Sequence, residues 1–406
     1  MKYLFSLILL CISLNGIAQS DTCHKKNTFF SGLISQNNDP SVYTAMQNIW
    51  FSNEKISYLA APIFFNEVES TLIPLRQGEG QNGYLFEGNF LYQAPVLMGR
   101  NHGNHFWQTS RLTFDYGFNI RMTKDTSYPL IPNNNIVGFN IDKVLWDSHT
   151  RFNPFNYSTA HAFSDWNKLE KPLSNLSLNI TAHHYSNGQP SGFFLRDTIG
   201  GQAFERNDYL EGDFSTNYLQ LGLTFSHLFL SKSIASLKIA YQRDGNGFGP
   251  LVFSPEQINS YGQNRLLGFL QYRHVWRGLN KTKSVTVQSR CDECEPTADA
   301  NLYKTYELLL RFEYEYIFGD MSNYPLTKAY RFNPHLFAKF TRPEWRAIGF
   351  IAHYYYGRDY SNIRYDLPIS ALTMGLSIDL NKYRAPFSDN QKFKTVNSRQ
   401  RTEENR

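Results

Sequence analysis

A two-residue alternation of apolar and polar side chains, repeated along most of the chain, constrains the fold of this sequence more than any other feature. In the segment 308–318, the apolar side of the alternation carries Leu308, Leu310, Phe312, Tyr314, Tyr316 and Phe318. The other side carries Arg311, Glu313 and Glu315. Because successive side chains of a β-strand point to opposite faces, the pattern predicts strands with one apolar face and one charged face.

The length and spacing of these segments favour a membrane barrel over a soluble sheet protein. Each segment has about ten residues and is followed by a loop rich in Asn, Asp, Gly, Pro and Ser, which is typical of outer-membrane β-barrels. In the segment 111–121, Arg111, Asp115 and Arg121 stand opposite an aromatic and aliphatic row. No apolar run after residue 18 reaches the roughly 18 residues of a membrane-spanning helix. A closed barrel pairs every backbone polar group in lipid and can hold these charges in its lumen.

The sequence therefore predicts an all-β protein, a transmembrane antiparallel β-barrel of about twelve strands in the outer membrane. The predicted strands are 56–65, 83–94, 106–121, 135–146, 174–185, 216–229, 233–243, 264–276, 306–318, 332–341, 345–356 and 369–380. With the amino terminus in the periplasm, short connections such as 230–233 are periplasmic turns, and long ones such as 186–215 are external loops. The segment 278–304 is longer than a periplasmic turn should be.

The segments that precede and follow the predicted barrel, residues 56–380, differ from it in composition. Residues 1–18 have the positive start, apolar run and small-residue exit of a secretory signal peptide, which predicts a multi-pass protein of the cell outer membrane. Residues 19–55 are expected to form a periplasmic segment and 381–406 a polar, flexible tail. Lys and Arg are scattered, so the net charge of +5 does not indicate a nucleic-acid partner. The charges on the polar rows are interpreted as a plug of ion pairs in the lumen or, alternatively, as the lining of a pore; they are Arg111, Arg121, Arg311, Glu313 and Glu315.

Polar residues interrupt the apolar row at the ends of two predicted neighbouring strands. His184 and Ser186 continue the row of Leu176, Leu178, Ile180 and Ala182, and Asn217 begins the row of Leu219, Leu221, Leu223 and Phe225. In a barrel this row faces lipid, where polar groups are costly without partners. His183 has the opposite parity and is predicted to be a structural hydrogen-bond partner in the lumen.

These three polar residues can form a hydrogen-bonded chain in which the imidazole accepts the serine proton and the Asn oxygen holds the other ring nitrogen. At the membrane interface such a nucleophile meets acyl esters of lipids. A simpler interpretation is that the strand end only contacts lipid headgroups through His184, Ser186 and their neighbours.

The segment His184-Tyr185-Ser186-Asn187-Gly188 matches the H-x-S-N-G motif of the outer-membrane phospholipase A family, whose members are barrel serine hydrolases. The segment 215–219, Ser-Thr-Asn-Tyr-Leu, resembles the family's S-x-N-x-L segment. The resemblance implies a phospholipase that hydrolyses acyl ester bonds of glycerophospholipids, with Ser186 as nucleophile, His184 as general base and acid, and Asn217 as the residue that orients the imidazole. It also implies an oxyanion-hole N–H at Gly188, a calcium ion bound in part by the backbone oxygen of Gln189, and a homodimer.

The sequence departs from the family pattern in two places. Asn217 follows Ser186 by 31 positions, a much longer separation than in the family, and Gln189 stands where the family favours arginine. A related alternative is a lipid A deacylase-like esterase, in which Glu211 or Asp213 would replace Asn217 as the third member. A non-enzymatic outer-membrane barrel, either a porin or a structural protein, is the alternative of a different class.

Overall fold

The computed structural model describes residues 55–67, 84–98, 110–123, 130–148, 173–187, 194–199, 202–207, 214–229, 233–245, 255–286, 299–319, 330–342, 348–360 and 368–378. Among these residues, no helix is long and apolar enough to cross a membrane. The predicted signal peptide, the predicted N-terminal segment up to residue 54 and the predicted tail 381–406 lie outside this part of the chain.

Strands make up nearly all of the described structure. They are β1 (Tyr58–Glu67), β2 (Tyr84–Met98), β3 (Ser110–Thr123), β4 (Leu130–Asp147), β5 (Leu173–Ser186), β6 (Phe194–Ile199), β7 (Gln202–Asn207), β8 (Ser215–Leu228), β9 (Ser233–Asp244), β10 (Asn264–Thr286), β11 (Asp299–Phe318), β12 (Phe332–Thr341), β13 (Ile348–Arg358) and β14 (Pro368–Ile378), with one helix, α1 (Pro255–Tyr261). Twelve of these strands close into a barrel in the order β1-β2-β3-β4-β5-β8-β9-β10-β11-β12-β13-β14, and β14 pairs with β1. Every neighbouring pair is antiparallel, which confirms the predicted fold class.

Each of the twelve predicted strands overlaps one strand of the barrel, and the predicted count is confirmed. The connection 278–304, which was too long for a turn, is explained by β10 and β11, which continue to pair as far as Thr286 and Asp299. The sequence did not predict β6 and β7, which form a separate two-stranded hairpin within the segment that joins β5 to β8. It also did not predict α1.

The apolar rows face outward and the polar rows face the lumen. On β8, Leu221 is 53% exposed and Phe225 is 43% exposed, whereas Thr224 and its polar neighbours are buried. On β9, Ile239 is 51% exposed, and the flanking side chains of Lys238 and Ala240 are buried. A soluble sandwich would bury the apolar rows, so this arrangement is that of a membrane-spanning barrel of the outer-membrane type.

Ion pairs occupy the lumen. Arg111 binds Asp142 with an Nη2–Oδ2 distance of 2.7 Å. Arg121 binds Asp359, and Arg311 binds Glu313, with N–O distances of 2.6 and 2.7 Å. Arg265 binds both Asp244 and Glu315. All five of the predicted lumenal charges are therefore paired with charges of opposite sign, as the plug interpretation expects.

Helix α1 packs on the lumenal side of the strand ends that carry His184 and Asn217. The ring of Tyr261, its last residue, meets the ring of Phe214 edge-on at a centroid distance of 4.8 Å. Phe214 is fully buried in an apolar cluster with Leu91, Ile136 and Tyr185. Arg358 donates from Nη1 to the Ser260 carbonyl at 3.1 Å. The helix thus connects β13 to the start of β8 across this end of the barrel, which we call the site end.

Candidate active site

The pairing of β5 with β8 brings the predicted site residues together. His184 lies directly opposite Asn217, and Ser186 lies directly opposite Ser215. The side chains of His184, Ser186 and Asn217 are half-buried. They share the outward parity of Leu219, which is 41% exposed two residues after Asn217. These polar side chains therefore lie on the lipid-facing surface at the site end of the barrel.

A hydrogen bond joins the imidazole to the amide. The distance between His184 Nδ1 and Asn217 Oδ1 is 3.0 Å. Since an amide oxygen can only accept, Nδ1 of His184 carries the proton in this bond, and the neutral ring leaves Nε2 as the acceptor. An imidazole in this tautomer can take a proton from a hydroxyl on its Nε2 side.

Ser186 supplies a hydroxyl on the same face of the same strand. It follows His184 by two residues, which in a β-strand places the two Cα atoms about 6.5 Å apart with parallel side chains. On β4, Asn135 lies opposite Ser186, and its amide oxygen accepts a hydrogen bond of 3.4 Å from Asn133. The polar surface around Ser186 thus extends onto β4. The apolar row of β5 lies further from the site end of the barrel.

Asn217 is held from its other side by the strand that follows. Its carbonyl oxygen accepts a hydrogen bond of 2.9 Å from the backbone N–H of Gly245, immediately after β9. The side-chain hydroxyl of Thr216 donates to the same oxygen at 3.3 Å. The backbone that presents the Asn217 amide is therefore fixed on both sides, by β5 and by the end of β9.

Asn187 closes the ends of β5 and β8 immediately beyond Ser186. Its backbone N–H donates to the Phe214 carbonyl at 2.9 Å, and its side-chain oxygen accepts from the Phe214 N–H at 3.0 Å. Asn187 is 5% exposed and Phe214 is fully buried. We call this pair of bonds the Asn187–Phe214 clamp. The sequence indicated the motif asparagine but not this role, because the partner lies 27 positions away, near the far end of the inserted segment.

The inserted segment, residues 188–213, begins after Asn187 and ends before Phe214, the two residues of this clamp. Within it, β6 and β7 pair from Phe194 opposite Asn207 to Ile199 opposite Gln202. Cα atoms of β7 approach those of α1 to within 8 Å. The insertion between Ser186 and Asn217 thus contains a hairpin, and the pairing of His184 with Asn217 is preserved despite it.

His183 has the lumenal position predicted for it. Its Nδ1 lies 2.8 Å from the Tyr218 hydroxyl, and its Nε2 lies 3.1 Å from a carboxylate oxygen of Asp115. Because both ring nitrogens are engaged and the side chain is 5% exposed, His183 is a structural partner of β3 and β8. Opposite it on β4, a side chain at Gly138 would collide with the Ala182 carbonyl, so only glycine allows β4 and β5 to approach this closely.

Other residues predicted for the site lie outside the described part of the chain. These are Gly188, predicted for the oxyanion hole, Gln189, predicted as a calcium ligand, and the alternative third members Glu211 and Asp213. In the described ranges, no group of three or more His, Cys, Asp or Glu residues is placed to hold a metal ion. The side-chain oxygen of Asn187 accepts the Phe214 N–H.

The chain is similar to solved barrels of the outer membrane. The structure of outer membrane phospholipase A from Escherichia coli matches with a TM-score of 0.40 and 11% identity over 84% of this chain and 97% of that chain. A calcium-bound dimer of the outer membrane phospholipase of Salmonella typhi matches with a TM-score of 0.42 and 11% identity, over 82% and 97% of the two chains. The β domain of the Bordetella autotransporter BrkA matches with a TM-score of 0.32 and 9% identity, over 80% and 97%.

No protein-family model matches this chain, and no curated protein matches it. Identities and TM-scores as low as those of the solved barrels carry no inference about particular residues. The assignment of the fold rests on the strand pairing, and the site rests on the geometry of β5 and β8.

Proposed function

We propose that this protein is an outer-membrane phospholipase that hydrolyses acyl ester bonds of glycerophospholipids through Ser186, His184 and Asn217. The observation that carries the proposal is the 3.0 Å bond from His184 Nδ1 to Asn217 Oδ1, on a face otherwise turned to lipid. An orienting amide, a histidine and a serine on one surface form an activated-nucleophile arrangement. The position of this surface supports lipid esters as the substrate class, because it lies on the side of the barrel that faces the membrane.

In the first step, the Ser186 oxygen attacks the ester carbonyl, and Nε2 of His184 takes the hydroxyl proton. The resulting imidazolium keeps its Nδ1–H bond to Asn217, a bond that strengthens as the ring becomes charged. The tetrahedral intermediate collapses when His184 returns the proton to the leaving alcohol oxygen. The products of this step are a lysophospholipid and a fatty acyl ester of Ser186.

In the second step, water attacks the acyl ester of Ser186, and His184 takes a proton from that water. The intermediate then releases the fatty acid, and the proton returns to the serine oxygen. Asn217 keeps the ring orientation constant through both steps, so its contribution is to position the base rather than to transfer a proton.

Further parts of the site are proposed by family resemblance. The N–H of Gly188 would stabilise the oxyanion, and a calcium ion bound in part by the Gln189 backbone oxygen would supply positive charge near it. A second copy of the chain would complete the acyl-binding surface as a homodimer. The steps above use only the chain's own groups, so a calcium chelator tests the metal separately from the nucleophile.

The proposal is tested by the hydrolysis of mixed-chain phospholipid by purified protein and by its Ser186→Ala variant. We expect release of fatty acid by the wild type and none by the variant, with the barrel still heat-modifiable on gels. Ser174→Ala is the matched control, because Ser174 lies on the same face of β5 at the opposite end and pairs with His227 Nδ1 at 2.8 Å. Full activity of Ser186→Ala would overturn the assignment.

The alternatives give different outcomes in the same experiment. A lipid A deacylase would release acyl chains from lipid A and leave phospholipid intact, and its activity would depend on Glu211 or Asp213. A porin would conduct ions in planar bilayers and hydrolyse neither lipid.

A further inference from the structure

A positively charged residue lies on the lipid-facing row of β9 near the candidate active site. Leu237, Ile239 and Tyr241 on this row are 43%, 51% and 42% exposed. Arg243 continues the row, is exposed, and is the penultimate residue of the strand. The alternation that brings Lys238 and Asp244 into the lumen therefore turns Arg243 outward, at the site end of the barrel.

The strand register places Arg243 beside the site. It lies directly opposite Leu219 on β8, and Asn217 precedes Leu219 by two residues. Diagonal neighbours of this kind have Cα atoms about 7–8 Å apart. Asn217 in turn lies opposite His184 on β5. Arg243 on β9 is therefore one strand away from Asn217, on the same outward face as Ser186 and His184.

Arg243 differs from the arginines of the lumen in having no partner among the residues that the structure describes. Arg111, Arg121, Arg265, Arg273 and Arg311 all form ion pairs. For Arg243, by contrast, no hydrogen bond or ion pair with any described residue is present. A guanidinium on a lipid-facing surface is costly in hydrocarbon, so the long side chain extends towards the interface, where lipid headgroups lie.

A fixed amide group stands next to Arg243. Asn264, the first residue of β10, is its register partner on the other side. The Tyr241 hydroxyl donates to Asn264 Oδ1 at 2.7 Å, which orients the amide and leaves its NH₂ group as a donor. Arg243 and the NH₂ group of Asn264 thus present hydrogen-bond donors to the interface, and these are the groups that an anion requires.

We propose that Arg243, assisted by Asn264, binds the phosphate group of the phospholipid whose ester is attacked by Ser186. Guanidinium binds phosphate through two parallel charge-assisted hydrogen bonds. In a glycerophospholipid the phosphate and the ester carbonyls are joined through the same glycerol, so a phosphate held on β9 presents an ester to β5. The proposal rests on the proposed function and adds a basis for selecting phosphate-bearing esters over neutral ones.

The test compares Arg243→Gln with the wild type on two esters in the same detergent micelles, phosphatidylglycerol and diacylglycerol. We expect kcat/KM for phosphatidylglycerol to fall about 10- to 100-fold, the range for a lost charge-assisted contact, and kcat/KM for diacylglycerol to stay within about twofold. Arg243→Lys keeps the charge without the planar fork and should lose less than Arg243→Gln. Arg342→Gln, which removes an exposed arginine at the opposite end of the barrel, is the matched control and should change neither value.

Each contrary outcome has a distinct meaning. An unchanged kcat/KM of Arg243→Gln for phosphatidylglycerol, or an equal loss on both esters, would overturn the phosphate-binding role and leave the Ser186 chemistry standing. If a third arm with lipid A showed that only lipid A hydrolysis depends on Arg243, the bound phosphate would not be that of a phospholipid. If the wild type hydrolysed neither phosphatidylglycerol nor diacylglycerol, the proposed function itself would be refuted.

Discussion

Replacing Asn217 by alanine removes the partner of His184 and leaves the nucleophile and the base in place. The lost contact is the 3.0 Å bond between His184 Nδ1 and Asn217 Oδ1. In the transition state the ring is an imidazolium, and a hydrogen bond to a charged group contributes about 1.5–3 kcal/mol. At about 1.4 kcal/mol for each factor of ten in rate, this loss corresponds to a fall in kcat of about 10- to 100-fold for a half-buried pair.

The assay is steady-state release of fatty acid from phospholipid micelles by wild type, Asn217→Ala, Asn217→Asp and Ser186→Ala. We expect the alanine variant to lose kcat with an unchanged KM, because Asn217 orients the base and does not bind the lipid. The aspartate variant keeps an oxygen acceptor opposite His184 and should retain most of the activity. Ser186→Ala sets the baseline, which should lie well below the residual rate of Asn217→Ala.

Two results would refute this reasoning. If Asn217→Ala retained full activity, the hydrogen bond to His184 would have no role in the chemistry. If its loss appeared in KM alone, Asn217 would act on the lipid rather than on the imidazole. A greater loss in Glu211→Ala or Asp213→Ala would transfer the orienting role to a carboxylate.

Two further predictions concern the supports of the site and of the lumen. Asn187→Ala leaves the buried N–H of Phe214 without its acceptor at the ends of the strands that carry the site, so we expect kcat to fall on the order of tenfold. Asn187→Asp keeps the oxygen and should retain most of the wild-type kcat. An alanine variant as active as the wild type would contradict this role. Arg111→Ala leaves the fully buried carboxylate of Asp142 without its cation and should lower the free energy of unfolding by about 3 kcal/mol. Urea titration in detergent measures this change, with Arg342→Ala as the exposed control; equal midpoints for the two variants would show that the lumenal pair does not stabilise the barrel.

The barrel strands could be predicted from the sequence because lipid and lumen impose opposite requirements on successive residues. Twelve segments carry that pattern, the first and fourth most weakly, and each overlaps a strand of the barrel. The hairpin of β6 and β7 escaped prediction because each of its strands has six residues, too few for the alternation to stand out. Helix α1 has seven residues, too few for a 3.6-residue period to be recognised.

The faces of the site residues followed from the same parity. His184, Ser186 and Asn217 were expected on the lipid-facing row, and the pairing of β5 with β8 places them there. Arg243 carried an equally visible signal, a charge on an apolar row, but its relevance depends on the register between β8 and β9. The Asn187–Phe214 clamp could not be predicted, since it joins residues 27 positions apart across an insertion of unknown shape.

The Asn187–Phe214 clamp also makes the site end of the barrel suitable for the insertion of a foreign segment. Loop-closure entropy rises only slowly with the number of residues, by about 0.6 kcal/mol for each doubling, and here the two ends are already fastened together. We therefore expect residues 188–213 to accept a change of length, or a foreign peptide in place of the hairpin, with the barrel still able to assemble. A tag spliced into this segment would be displayed at the rim, and antibody staining of intact cells would report directly which way the barrel is oriented.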